Sequence, residues 1–110
     1  MFKGVTRLGD ADVPHTNCGG DVPLRTAKYT GVFINGRPVS VQGDHNTPHP
    51  GIPCGNHCCN HSEPIILGCP TVKVNGMGIG RVGDDVGGAT ACTSVATGSG
   101  NVFAGILTGA

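Results

Sequence analysis

Five His and six Cys carry most of what this chain could use for chemistry, and they are not spread evenly. His15 and Cys18 form one group. His45, His49, Cys54, His57, Cys58, Cys59, His61 and Cys69 form a second, and Cys92 stands alone. Imidazole and thiolate gathered in loops is the ligand set of zinc, which takes four such donors at tetrahedral angles. A lone loop His is commonly idle and a lone Cys is commonly a small buried hydrophobe, so the argument rests on the cluster and not on any one member. Disulfides among Cys54, Cys58, Cys59 and Cys69 stay open, and the adjacent Cys58 and Cys59 do not easily ligate one ion together. A Cys/His pair can also serve as nucleophile and base. Here no third residue stands out to orient such a pair, no phosphate-binding glycine motif precedes a helix, and carboxylates are few. No enzyme is expected.

The elements that must position these residues repeat. Residues 31–45 read GVFINGRPVSVQGDH and residues 71–85 read TVKVNGMGIGRVGDD. At a period of 40, Val32/Val72, Asn35/Asn75, Gly36/Gly76, Gly43/Gly83 and Asp44/Asp84 coincide. The chain begins with the second half of this unit (Arg7-Leu8-Gly9-Asp10) and ends with the first half (Gly100-Asn101-Val102-Phe103). Fixed self-similarity describes architecture. Here it implies three β-units about a pseudo-threefold axis, with the chain cut inside one of them. Asn-Gly is the strongest two-residue hairpin signal, because a type I′ turn needs positive φ at both positions. Strands are expected at 32–35, 38–42, 72–75, 79–82 and near 101–104, with irregular segments at about 11–31, 45–70 and 85–98.

The repeat also orders the candidate ligands. His15 lies five residues after Asp10, and His49 lies five after Asp44. Equal offsets in pseudo-symmetric units imply equal places in space. The third segment offers Cys92, eight residues after Asp84, and His61 comes from the tail of the long middle segment. Cys18, Cys54, His57 and Cys58 compete with these.

Composition bounds the rest. A chain of 110 residues is one domain, spanning 1–110. Twenty Gly, eight Pro and only four aromatics leave little material for a large core or for long helices, so a staple is expected. Lys and Arg number seven and Asp and Glu seven, with no basic stripe, which argues against nucleic acid. The opening MFKGVTRLGD holds no apolar signal-peptide core, so synthesis in the cytoplasm without a cleaved signal is expected, and no fused toxin domain is expected beyond Ala110. Without such a signal, three stapling disulfides are a weaker reading than a metal.

The combination resembles the PAAR-repeat family: a Gly-Asp with His five later, a Val-Phe-x-Asn-Gly hairpin, a second Gly-Asp, a His/Cys loop, Val72-Lys73-Val74-Asn75-Gly76, then a third Gly-Asp with a late Cys. The closing Ala96-Thr97-Gly98-Ser99-Gly100-Asn101-Val102-Phe103-Ala104-Gly105 is similar to the C-terminal signature of its phage-type members. The likeness covers residues 4–105. The name-giving tetrapeptide is missing, with Pro38-Val39-Ser40-Val41 and Gly78-Ile79-Gly80-Arg81 in its place. The resemblance implies an all-β cone of short hairpins whose base caps the trimeric β-helical spike of a phage baseplate or type VI secretion machine, one copy per trimer. It implies transient contact with a target membrane, a place at the tail tip of a virion or secretion by a type VI system, and one zinc held by His15, His49, His61 and Cys92. Apolar hairpin residues Val32, Ile34, Val72 and Val74 are the expected docking contacts. An unrelated zinc-binding interaction module and a disulfide-stapled extracellular domain are the competing readings.

Overall fold

The computed structural model describes residues 2–14, 22–54, 57–87 and 91–105, of which 2, 50–54, 57–60, 91 and 92 are described by backbone alone. The described residues form ten strands, β1 (Phe2–Gly4), β2 (Phe33–Ile34), β3 (Arg37–Pro38), β4 (His49–Cys54), β5 (His57–His61), β6 (Lys73–Val74), β7 (Met77–Gly78), β8 (Asp85–Gly87), β9 (Ala91–Ser94) and β10 (Phe103–Gly105). They pair antiparallel, two by two, and the described residues contain no helix. The chain is elongated, 46 × 29 × 24 Å.

The two Asn-Gly turns behave as their residue types require. Asn35 and Asn75 both have φ 54°, and Gly36 and Gly76 follow at 81° and 80°. These left-handed values match the right-handed twist of the flanking strands, and they join β2 to β3 and β6 to β7. The third hairpin is divided between the chain ends. β1 pairs with β10, setting Gly4 opposite Phe103 just as Pro38 faces Phe33 and Gly78 faces Lys73.

Backbone hydrogen bonds then link the three units in a cycle. Thr6 N–H donates to Gly80 O (3.0 Å), Ser40 N–H to Thr6 O (3.0 Å), and Gly80 N–H to Ser40 O (2.9 Å). A second set repeats the pattern: Leu8 to Pro38 O, Gln42 to Gly78 O, and Val82 to Gly4 O, at 2.8, 2.8 and 2.9 Å. Gly80 is required inside the first ring, since a Cβ there would lie 2.6–2.7 Å from Ile65 Cδ1, Ser40 O and Thr6 Cγ2. The expected return strands 38–42 and 79–82 are therefore shorter than the alternation implied. From Val39 and Ile79 onward the chain bridges other units, through Arg7–Val39, Val41–Ile79 and Val5–Arg81, because three chains converge there.

The segments expected to be irregular are largely arms of paired chain. The middle one is the β4–β5 hairpin, and the third is β8–β9. The first is bridged at Ala11–Leu24. Each arm leaves a Gly-Asp turn with both legs already tied: Gly9 N–H to Arg25 O, Gly43 N–H to Ile65 O and Gly83 N–H to Val95 O, at 2.9, 3.0 and 2.8 Å. Legs held in register at the root continue to pair outward, which is why Pro- and Cys-rich chain that reads as loop becomes strand.

The core lies in two clusters. Val5, Val39 and Ile79 hold equivalent positions and pack with Val41, Cys69, Val74 and Ala104. Ile65, Val86 and Val95 form the second. The four residues expected to dock are placed differently from one another. Val74 belongs to the core, Val32 and Ile34 pack half-buried against it, and of the four only Val72 is exposed. Two-residue strands are too short for alternation to identify the outer face. Phe33 and Phe103, at equivalent positions, are each 54% exposed.

Candidate metal centre

The middle arm is aimed by its root. Asp44 accepts from Val41 N–H (3.0 Å), closing the tight turn over Gly43. Asn46 then clamps both sides: its Nδ2 donates to Asp12 Oδ2 (3.0 Å) and its Oδ1 accepts from Glu63 N–H (2.8 Å). Thr47 N–H donates to Leu24 O (2.8 Å), and Thr47 Oγ accepts from Leu24 N–H (3.0 Å). Thus the first and middle arms are locked together two residues before His49.

At the start of β4, His49 is 1% exposed and faces His61 at the end of β5. The rings lie 4.4 Å apart at 58°. His49 Nδ1 is 2.8 Å from Thr47 O, an atom that can only accept, so Nδ1 is the donor there and Nε2 is the ring nitrogen turned away from that bond. His61 Nδ1 is 3.1 Å from the carboxylate of Glu63, which favours the same tautomer. An imidazole fixed through Nδ1 on a carbonyl or carboxylate is the usual outer-shell arrangement of a zinc-ligating His, since it sets ring orientation and raises ligand basicity. The donor set fits zinc on this count.

Beneath the pair lies a buried polar layer. Arg25 Nη1 donates to Asp12 Oδ2 (2.8 Å), with both side chains fully buried. Arg25 also donates to Ser40 Oγ (3.3 Å) and to Asp44 O. Burial pushes the Asp12 carboxyl above its ordinary range, although the charge and hydrogen bond of Arg25, the bond from Asn46 and the charge of His49 pull it back. Burial likewise lowers Arg25 against the pull of Asp12. Both directions mean that desolvation outweighs the attraction within the pair. Asp12 Oδ1 and Thr6 Oγ are buried with no hydrogen-bond partner among the described residues.

Of the four expected ligands, His49 and His61 are brought together. His15 lies outside the described residues. Cys92 is on β9, described by backbone alone, and β9 runs beside the segment that leads to His15: Asp12 bridges Val95, Val13 N–H donates to Ser94 O (2.8 Å), and Thr93 Oγ donates to Val13 O. Among the residues described with side chains, no three His, Cys, Asp or Glu converge on one point. Cys69 is remote from the pair, in the apolar core, with its sulfur 3.4 Å from Thr71 Oγ. Sequence reasoning passed over Asp12, Arg25, Asn46 and Glu63. The signal was available for two of them, because Asp12 and Asn46 both sit two residues after their Gly-Asp.

No protein-family model matches this sequence, and a search of curated proteins finds no match either.

Proposed function

We propose that the chain is a PAAR-type structural tip: it caps a trimeric β-helical spike of a contractile injection apparatus, a phage baseplate first and a type VI machine as the variant of the same role. The observation that carries this reading is the closed cycle of backbone hydrogen bonds through Thr6, Ser40 and Gly80, with the third hairpin split between β1 and β10. A monomer with three similar edges can sit on a true threefold partner, one copy per trimer. Phe33 and Phe103, at matching positions of two of the three hairpins, offer apolar contacts to it. The work of a tip is mechanical, so no catalysis is assigned.

His15, His49, His61 and Cys92 would hold a zinc ion. Zinc supplies cross-linking where the arms have too little apolar surface to hold one another. Thr47 and Glu63 orient the two central imidazoles before any ion arrives. Three imidazoles and one thiol would supply the four donors that structural zinc takes, so the ion would cross-link the arms and not activate water.

Two measurements test the reading. Elemental analysis should show that Cys92→Ser loses zinc and that Cys69→Ser keeps it; full retention in the first or loss in the second refutes the ligand set. Light scattering of the chain mixed with a trimeric β-helical spike fragment should give one copy per trimer. Three copies, or no complex, refutes the cap.

A further inference from the structure

We propose that the β4–β5 hairpin carries a second metal site, built on Cys54, His57 and Cys59 and distinct from the His49–His61 pair. It goes beyond the tip reading and does not depend on it. The argument is one of register. His49 faces His61, Ile52 faces Cys59, and Cys54 faces His57. Successive residues of a strand alternate between faces, and directly paired residues share one. Along β5 this puts His57, Cys59 and His61 on a single face and Cys58 on the other. On β4, His49 and Cys54 are five positions apart, an odd separation that would divide them between faces in a regular strand. The register shift between Pro50 and Ile52 re-phases the strand. A bulge inserts one residue without a partner, so His49, Ile52 and Cys54 all share the face of His57, Cys59 and His61.

Five of the six residues on that face are therefore His or Cys. Cross-strand partners lie about 5 Å apart and the next same-face rung about 7 Å along the strand. Cys54, His57 and Cys59 thus occupy adjacent same-face register positions of one hairpin, a juxtaposition of two thiol residues and one imidazole residue. The His49–His61 rung is about 13 Å from the Cys54–His57 rung, too far for one ion to serve both. The donor set suits a thiolate-preferring divalent cation, zinc itself or cadmium as its probe.

The test uses the full chain, prepared under reductant and loaded with zinc. Relative to the unsubstituted chain, Cys54→Ser combined with His57→Gln should hold one zinc equivalent fewer, and Cys58→Ser, on the opposite face, should hold the same. Unchanged zinc in the double variant overturns the proposal, as does loss in Cys58→Ser. Cadmium NMR of the unsubstituted chain guards against a variant that fails to fold: a resonance in the range of two sulfur donors supports the site, and its absence overturns it. Thiol counting after chelation in denaturant gives a further check, since Cys54 and Cys59 found joined as a disulfide would also overturn it. Zinc kept by His49→Asn/His61→Asn but lost by the outer double variant supports this site and rejects the inner centre. The reverse pattern rejects this site and leaves the inner one standing.

Discussion

The first and third arms enter the same buried layer with opposite chemistry. The first passes in through Asp12 and back through Arg25; the third passes in through Val86 and back through Val95. The middle arm has one of each, Asn46 going in and Ile65 returning. All six are buried, at equivalent stations of the three units, and neighbours are bridged in turn: Asp12–Val95, Arg25–Asn46 and Ile65–Val86. One backbone plan thus accepts an ion pair on one side and a hydrocarbon cluster on the other. The apolar side gains stability from packing. The polar side gains little net energy, because desolvation offsets its Coulomb attraction, but it ties Arg25 to Asp12, Ser40 and Asp44 O and so fixes which arm lies against which.

Breaking the polar side by halves should give the largest effect. Asp12→Ala leaves the Arg25 guanidinium buried without its carboxylate, keeping only Ser40 Oγ and Asp44 O as acceptors, and the expected loss is about 3–5 kcal/mol. Replacing both, Asp12→Leu with Arg25→Met, should recover most of that loss, because an apolar pair needs no compensation. Denaturant unfolding of the three proteins measures it. A double variant as unstable as Asp12→Ala would mean that the layer needs the charges themselves.

The converse change sharpens the comparison. Val86 occupies the station that Asn46 fills in the middle arm, but around it Ile65 and Val95 offer no side-chain hydrogen-bond partner. Val86→Asn should cost about 1–3 kcal/mol, the desolvation of a buried amide left unpaired. Asn46→Val should also destabilise, since it strips Asp12 Oδ2 and Glu63 N–H of a partner. If Val86→Asn unfolds at the same denaturant concentration as the parent, the two sides are equivalent and the comparison fails.

How much of this was legible from residues differs between the two regions for a physical reason. Asn35-Gly36 and Asn75-Gly76 were readable because few residue pairs tolerate positive φ twice in succession. The split third unit was readable because Arg7-Leu8-Gly9-Asp10 repeats Arg81-Val82-Gly83-Asp84. His49 was readable by its offset, and His61 is its cross-strand partner. Asp12 and Arg25 were not, since a charged pair 13 positions apart in a polar stretch reads as surface. Nor was the pairing of the arms, because Pro50, Pro53 and Gly51 argue against strand locally and only the tied legs at Gly43 and Ile65 overrule them. Which hairpin residues are exposed was not legible for want of length: Phe33 and Phe103 face out while Ile34 and Val74 pack in, a choice that two-residue strands do not encode.

The smallest effect concerns the clasps that launch the two contrasting arms. Each Gly-Asp is closed by the backbone N–H three residues earlier, and in the first and third arms an Arg side chain adds to it, Arg7 on Asp10 (2.8 Å) and Arg81 on Asp84 (2.9 Å). For Asp10, burial alone would raise the carboxyl, but the side-chain and backbone hydrogen bonds and the charge of Arg7, with the charge of Arg37, hold it below its ordinary 3.8. A carboxyl lowered in the folded state stabilises the fold above its unfolded value, and that contribution is lost as pH falls through the folded one. Acid unfolding should therefore draw on Asp10 only below about pH 4. Arg7→Ala should cost about 1 kcal/mol at neutral pH, the net scale of one intramolecular hydrogen bond. It should also bring the acid limb to higher pH, because the carboxyl then titrates nearer its unfolded value. Stability measured against pH for the parent and Arg7→Ala decides this: two curves separated by a constant gap down to pH 3 would show that Asp10 contributes no linkage and that Arg7 acts only by packing.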